Sequence, residues 1–274
     1  MTLKENLNQT GMRLILSLLL LLMHAAIAIA AEVPEIVKTC AEQNMPKTTA
    51  SQAIELTAVD RSGYEQVLQA NVYWKRGADN RGRLLMHFEE PADVRNARFL
   101  IIENEPQNDM YIYMPGLFKV RKITSRRISS SVLGTDFSYE DYERLHGIMT
   151  DLKAEQYPDD VLEGRPVYVI NSYPGETSGY DKIATYIDKQ TCVTLKTELF
   201  ERGHQLRKIL TIDPADIKPV GDIQVPRALL MRDVRDKTET RLVIREIRTG
   251  DPLDDALFDP EQLKQQKIPP ILAE

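Results

Sequence analysis

The sequence predicts a mainly β protein of the α+β type, built on one strongly curved antiparallel sheet with a few short helices. From Ile54 onward, apolar and polar residues alternate in one segment after another, which is the pattern of strands with one buried face. About ten or eleven such segments follow at spacings typical of meandering antiparallel sheets. That number of strands favours curvature over a flat sheet.

The start of the chain has the pattern of an export signal. Arg13 precedes an uncharged run over residues 14–29, which closes on the small-residue triplet Ala28-Ile29-Ala30. A positive end, a short apolar run and an Ala-x-Ala site are typical of secretory signal peptides. The run is shorter than the roughly 20 residues that a membrane-spanning helix needs. We therefore predict a signal peptide over residues 1–30, cleaved near Ala30, and a periplasmic protein.

The remaining chain has the size of one all-β domain, which we expect over residues 31–268. Residues 269–274, which begin with two prolines, are expected to form a flexible tail. The net charge of −6 argues against a nucleic-acid partner. Cys40 and Cys192 would lie in a compartment where disulfides persist, and a bridge between them is as well supported as two buried free thiols.

Residues 33–43 are predicted to form a short amphipathic helix, with Pro34 in its first turn. A second helix is predicted within the insertion at residues 129–147, which interrupts the strands. Ser138 and Asp141 have the spacing of a capping box, Phe137 and Tyr142 that of a hydrophobic staple, and Gly147 can end the helix. We expect residues 137–145 of this insertion to act as a movable lid. The lid residues are Phe137, Tyr139, Tyr142 and Leu145.

The familiar catalytic templates are absent from the sequence. His87, His146 and His204 lie in separate segments without a second metal ligand nearby, and we interpret them as surface histidines. The pairs Asp159-Asp160 and Asp254-Asp255 are interpreted as solvated loop charge, because neighbouring side chains on an extended chain point apart. We expect no enzyme activity, no cofactor and no metal site.

Apolar residues on the inward faces of three early strands are the candidate ligand groove. The flexible thioethers of methionine adapt to variable apolar partners, which suits a cavity for acyl chains. The alternative is an ordinary sheet core, whose residues would alternate along the strands in the same way. The predicted helices are too few and short to cover so many apolar strand faces. The candidate groove residues are Trp74, Leu84, Met86, Phe88, Met110, Ile112 and Met114.

One dense basic segment follows the predicted turn at Met114-Pro115-Gly116 and leads into the insertion. It is either a docking patch for an acidic partner or anionic lipid head groups, or a solvated strand edge whose charges discourage aggregation. Its residues are Lys119, Arg121, Lys122, Arg126 and Arg127.

Several segments resemble the periplasmic outer membrane lipoprotein-sorting proteins, relatives of LolA. They are EPADVRNARFL at 90–100, MYIYMP at 110–115 with VRKI at 120–123, GTDFSYED at 134–141 and LFDPEQL at 257–263. The resemblance implies a half-open, LolA/LolB-like β-barrel of about eleven antiparallel strands, closed by helices, that carries acyl chains. Proteins of this branch of the family also resemble lipid carriers that are associated with RND-type exporters, so the resemblance implies such an exporter as a partner.

Three functions remain open from the sequence. The first is a monomeric carrier that passes a lipid or lipoprotein between envelope components, with an RND-type exporter as a partner. The second is an envelope adaptor or sensor that uses the same fold to bind a protein. A periplasmic hydrolase is the weakest, because the sequence offers no nucleophile paired with a base.

Overall fold

The structure, a computed structural model, describes residues 34–147, 153–265, 268–269 and 271. The predicted signal peptide lies outside the described residues. Among the described residues, no helix is both long and apolar enough to cross a bilayer. Two α-helices are described, α1 (Glu35–Asn44) and α2 (Tyr139–Leu145).

The strands fall into an early group, which precedes α2, and a late group, which follows it. The early strands are β1 (Thr49–Val59), β2 (Glu65–Arg76), β3 (Gly82–Glu90), β4 (Arg98–Ile102), β5 (Asp109–Met114) and β6 (Lys119–Lys122). The late strands are β7 (Lys153–Leu162), β8 (Arg165–Tyr173), β9 (Lys182–Asp188), β10 (Thr194–Glu201), β11 (Gln205–Thr211), β12 (Ile217–Val220), β13 (Ile223–Pro226), β14 (Ala228–Asp233) and β15 (Thr238–Thr249).

Thirteen strands form one antiparallel sheet in the order β6-β5-β4-β3-β2-β1-β15-β14-β11-β10-β9-β8-β7. The hairpin β12–β13 stands apart from this sheet. Strands β6 and β7 are its two edges, and no described residues pair them, so the sheet is a half-open barrel. The predicted fold class is confirmed, with thirteen strands in place of about eleven. The insertion that contains α2 connects the two edge strands in sequence.

Strand β7 is absent from the sequence prediction, and it corrects the interpretation of Asp159-Asp160. These two residues lie within β7, next to an irregular step in its ladder with β8. Most of β7 is exposed, so its sequence carries no apolar alternation. Pro158 is compatible with this position because an edge strand leaves one row of backbone groups unpaired.

Strands β1 to β5 each contribute buried residues to both faces of the sheet, whereas the sequence predicted one solvated face. The outer face is covered by the C-terminal segment, which contains a short 3₁₀ turn at Asp255–Phe258. Leu263 and Ile271 pack there against Leu85 and Leu100. Ile271, which belongs to the segment predicted to be a tail, has a buried side chain.

His87 also lies on this covered side and is buried, which corrects its interpretation as a surface histidine. Its Nε2 lies 3.2 Å from Asn96 Oδ1. Burial lowers the pKa of His87, and the hydrogen bond to Asn96 opposes this shift only in part. His204 is exposed, as predicted.

Helix α1 is tied to the sheet by a disulfide between Cys40 and Cys192, whose Cα atoms lie 4.9 Å apart. Cys40 packs with Ile170 and Ile187 of the late strands. Asn44 at the end of the helix donates to the Thr191 carbonyl at 2.8 Å. The N-terminal helix therefore packs against strands β8 and β9 of the late group.

Candidate ligand-binding site

The predicted groove residues come together on the inner face of the early strands. Trp74, Leu84, Met86, Phe88 and Met110 are almost fully buried in a single apolar cluster. Ile112 and Met114 are partly buried and pack against the same cluster. Strand parity produces this arrangement, because alternate residues of a strand point to the same side of the sheet.

The insertion packs into the concave side of the sheet and fills the groove that the sequence predicted to be open. Phe137, Tyr139 and Tyr142 are buried in the same apolar cluster as the groove residues, and Leu145 packs against it. The ring of Phe99 on β4 lies 4.9 Å from the ring of Tyr139 and 6.2 Å from that of Tyr142, both edge-on. Aromatic side chains of one inserted segment therefore occupy the interior.

Local sequence explains why this helix forms where it does. Ser138 Oγ accepts from the Asp141 backbone N–H, and Asp141 Oδ2 accepts from the Ser138 N–H, so the predicted capping box is present. The rings of Phe137 and Tyr142 lie 5.5 Å apart, in the positions of the predicted staple. Gly147 adopts a positive φ of 64° just after the helix.

Asp141 also attaches the lid helix to the opposite wall of the barrel. Lys208 Nζ on β11 lies 2.9 Å from Asp141 Oδ2, and Tyr180 OH donates to Asp141 Oδ1 at 2.9 Å. All three side chains are buried. Burial and the Asp141 carboxylate raise the pKa of Tyr180 well above its usual value, so this phenol stays a donor.

Two further carboxylates of the insertion reach the same wall. Glu140 accepts from Ser178 Oγ at 2.7 Å and from the Gly179 N–H at 3.0 Å. A Cβ atom added at Gly179 would lie only 2.8 Å from Glu140 Oε1, so a larger residue there would force Glu140 to shift. Asp136 accepts from Thr240 Oγ1 at 2.7 Å and also contacts Thr238. We call Asp136, Glu140 and Asp141 the latch carboxylates.

Two titratable groups near the end of α2 have shifted pKa values. Burial raises the pKa of Glu143 to about 7, although the Asn108 side chain donates to its carboxylate at 2.8 Å. Burial lowers the pKa of His146 to about 4. His146 is half-buried rather than at the surface, and its Nδ1 lies 3.0 Å from the Tyr142 carbonyl.

Trp74 carries a polar atom with no partner inside this apolar site. Its Nε1 is buried and has no hydrogen-bond acceptor among the described residues. Buried indole N–H groups normally have an acceptor, because burial removes the N–H from water. Without a hydrogen bond, nothing offsets the free-energy cost of that desolvation. The indole N–H of Trp74 is therefore a donor that the interior offers to a ligand that enters it.

A polar cleft of about 710 Å³ lies beside the lid and not within the apolar interior. Arg126, Ser178, Glu201 and Arg235 are among its lining residues. The five residues of the predicted docking patch are all exposed. Lys119, Arg121 and Lys122 belong to the edge strand β6, and Arg126 and Arg127 to the 3₁₀ turn that follows.

The latch is the part of the site that the sequence analysis missed. Lys208 lies on the same side of β11 as Leu206 and Leu210, because alternate residues of a strand share a face. The lysine therefore occupies a position where the strand pattern predicts an apolar residue. That irregularity is the signal that could have identified it. The carboxylates that it faces come from a distant part of the chain, which alternation within one strand does not reveal.

The fold and the filled interior define a class of protein, the half-open β-barrels whose apolar concave face is covered by an inserted segment. A family model described only as "Uncharacterized protein" matches residues 80–265, and the chain belongs to that family. No curated protein matches the chain in sequence.

Several solved structures share the fold, among them the following three. An outer membrane lipoprotein-sorting protein domain from Vibrio parahaemolyticus is 22% identical with a TM-score of 0.76, covering 84% of this chain and 97% of that one. A DUF1329 family protein from Desulfovibrio piger is 19% identical with a TM-score of 0.77, covering 84% and 96%. A LolA superfamily protein from Nitrosomonas europaea is 15% identical with a TM-score of 0.65, covering 82% and 96%. The predicted resemblance to lipoprotein-sorting proteins is thus confirmed in the fold.

Proposed function

We propose that this protein is a periplasmic carrier that binds the acyl chains of a lipid or lipoprotein on its concave apolar face. The supporting observation is the cover of that face. The inserted segment from Phe137 to Leu145 covers it together with the hairpin β12–β13, whose Ile223 and Val225 are buried in the same apolar cluster. The lid rings would leave the interior when the cargo enters. The carrier would act as a monomeric binding protein, without catalysis.

The energetics of the lid favour exchange over spontaneous opening. Three aromatic side chains of the lid are buried, and each buries on the order of 150–250 Å². At about 25 cal/mol per Å², exposing all three rings to water costs on the order of 10 kcal/mol. Wide opening is therefore rare unless other apolar groups replace the rings, as the methylenes of an acyl chain can. In this proposal, entering cargo displaces the rings from their closed arrangement.

The attachment of the lid supports the same proposal. The lid packs its aromatic rings into the apolar cluster, and hydrogen bonds and an ion pair join it to β11, β15 and the loop after β8. Water can replace hydrogen bonds at this side when the lid swings away, so that side can separate at a smaller cost. Trp74 Nε1, which has no acceptor in the described part of the chain, would donate to an ester or amide oxygen near the acyl chain.

The handover step is the finer part of the proposal. The Vibrio structure is described as a lipoprotein-sorting protein domain, and its similarity supports an envelope role for this chain. An inner-membrane exporter of the RND type is the partner that the sequence resemblance implies. We propose that such a partner, or a membrane surface, receives or supplies the cargo while the lid is displaced.

Lipid extraction followed by mass spectrometry tests the carrier function. Protein purified from the periplasm should contain lipid or lipoprotein acyl chains, and Ile112→Asp should lose them because it places a charge among the groove residues. Ile112 is better suited than the fully buried Met110, whose replacement by Asp would unfold the protein. Val67→Asp is the matched control, since Val67 lies exposed on β2.

Two results would contradict the carrier. One is folded Ile112→Asp protein that retains as much acyl chain as the wild type. The other is wild-type protein that stays free of lipid after incubation with membranes yet captures a membrane protein complex, which is the result an adaptor would give.

A further inference from the structure

The turn between β5 and β6 exposes two large apolar side chains next to the basic segment. Phe118 is 71% exposed and Leu117 is 51% exposed, and neither belongs to the apolar clusters of the described residues. Phe118 adopts a positive φ of 48° at the end of a 3₁₀ turn. A Cβ atom added at Gly116 would meet no atom within 4 Å, so the turn projects from the surface. We call Pro115, Gly116, Leu117 and Phe118 the hairpin tip.

The charge around the hairpin tip is opposite to that of the whole protein. Residues 115–128 contain five Lys or Arg and no Asp or Glu, in a chain whose net charge is −6. Lys122 pairs with Asp109, but Lys119 and Arg121 form no ion pair with a described residue. These cations are exposed and free to meet an external anion.

We propose that the hairpin tip and its basic neighbours form a docking element for an anionic lipid bilayer. Apolar side chains on a projecting turn can enter the boundary between head groups and acyl chains, while adjacent cations bind the anionic head groups. A surface that binds a protein partner would be expected to present a broader and flatter set of aromatic and apolar residues. A narrow apolar tip bordered by cations matches the bilayer interface in both shape and charge.

The position of the tip relates docking to the lid. The antiparallel register places the β5–β6 turn at the same end of the strands as the β14–β15 turn. Strand β15 begins at Thr238, which contacts Asp136 of the lid. The tip therefore lies at the end of the sheet where the first latch carboxylate is held. Docking there would bring the bilayer to the end of the barrel at which cargo could pass.

Flotation with protein-free vesicles tests this docking element directly. The purified mature protein should bind vesicles that contain phosphatidylglycerol about tenfold or more tightly than vesicles of phosphatidylcholine alone, and added salt should weaken the binding. The double variant Leu117→Ser/Phe118→Ser should lose about tenfold or more of the binding. Lys119→Gln/Arg121→Gln should bind less and respond less to salt.

Tyr64→Ser is the matched control. Tyr64 is 69% exposed in the turn at the same end of the strands, but its surroundings include Asp60 and Glu65 and lack a basic cluster. Its replacement should leave vesicle binding unchanged. Because all substituted side chains are exposed, the variants should fold, and Trp74 emission in each variant verifies this.

A tryptophan probe provides a second measurement of insertion. In a Trp74→Phe background, Phe118→Trp should shift its emission to shorter wavelength when anionic vesicles are added, whereas Tyr64→Trp should not. The proposal is overturned if the double serine variant binds like the wild type, if the emission of the Phe118→Trp probe does not shift, or if binding requires vesicles that carry membrane proteins. The last result would indicate a protein partner. Vesicle binding does not require acyl chains in the groove, so it can fail while the carrier proposal stands.

Discussion

Lys208 Nζ on strand β11 lies 2.9 Å from Asp141 Oδ2 on the lid helix, and both side chains are buried. This ion pair joins the segment that fills the interior to the wall that faces it. The same carboxylate caps its own helix through the Ser138 N–H. One side chain therefore stabilises both the fold of the lid and its closed position.

Removal of the cation should destabilise the closed protein. Lys208→Met leaves Asp141 buried without its cation, and we expect the free energy of unfolding to fall by about 3 kcal/mol. Lys208→Met/Asp141→Asn should recover most of that loss, since no buried charge then remains unpaired. Chemical denaturation of the wild type, both single variants and the double variant measures the coupling. Strictly additive effects would show that the pair does not act as a latch.

Glu143 should make stability depend on pH. Its pKa is about 7 in the folded protein against a usual value of 4.5, so between those values the folded state binds more protons. Stability from this group is therefore lost as pH rises toward 7 and stays low above it. Glu143→Gln should be more stable than the wild type at pH 8, by on the order of 1 to 3 kcal/mol, and equal to it near pH 4.

His146 acts in the opposite direction and must be separated from Glu143. Its pKa falls from 6.5 to about 4, so the unfolded state binds more protons between those values and stability falls as the pH drops through them. Comparison of Glu143→Gln with the wild type removes this contribution because His146 is common to both. A difference between the two proteins that does not change from pH 4 to pH 8 would rule out the buried-carboxylate account.

The disulfide should contribute strongly to stability. Cys40 and Cys192 are 152 residues apart in the sequence, and closing a loop of that length in the unfolded chain is worth on the order of 4 to 5 kcal/mol. Cys40→Ser/Cys192→Ser should lower the free energy of unfolding by about this amount while lipid binding at the early strands persists. Urea denaturation of the oxidised protein and the double variant measures it, and equal midpoints would refute the contribution.

Alternation in the sequence was sufficient for the inner face of the sheet. Met86 and Met110 lie where strand parity places them, and the capping box at Ser138 fixed the start of α2. These features depend on short-range patterns, which a single sequence contains. The prediction of a half-open barrel came from the resemblance to lipoprotein-sorting proteins, because strand parity alone does not determine whether a sheet closes.

The features that the sequence did not reveal depend on contacts between distant segments. The C-terminal segment covers the outer face at Leu85, but its apolar residues have no helical or strand period. Strand β7 is exposed and lacks alternation. The filled groove also depends on such contacts, because sequence spacing showed that the insertion could form a lid but not that its rings would occupy the interior.

The fluorescence of Trp74 tests the central claim most directly. Trp74 is the only tryptophan of the chain, and it lies buried among the groove residues. A phospholipid with brominated acyl chains should quench its emission in a saturable way, and the same lipid without bromine should not. Ile112→Asp should lose the quenching, and Val67→Asp should keep it. If Trp74 emission stays unchanged at every concentration of brominated lipid, in the wild type and in Lys208→Met alike, acyl chains do not enter this interior.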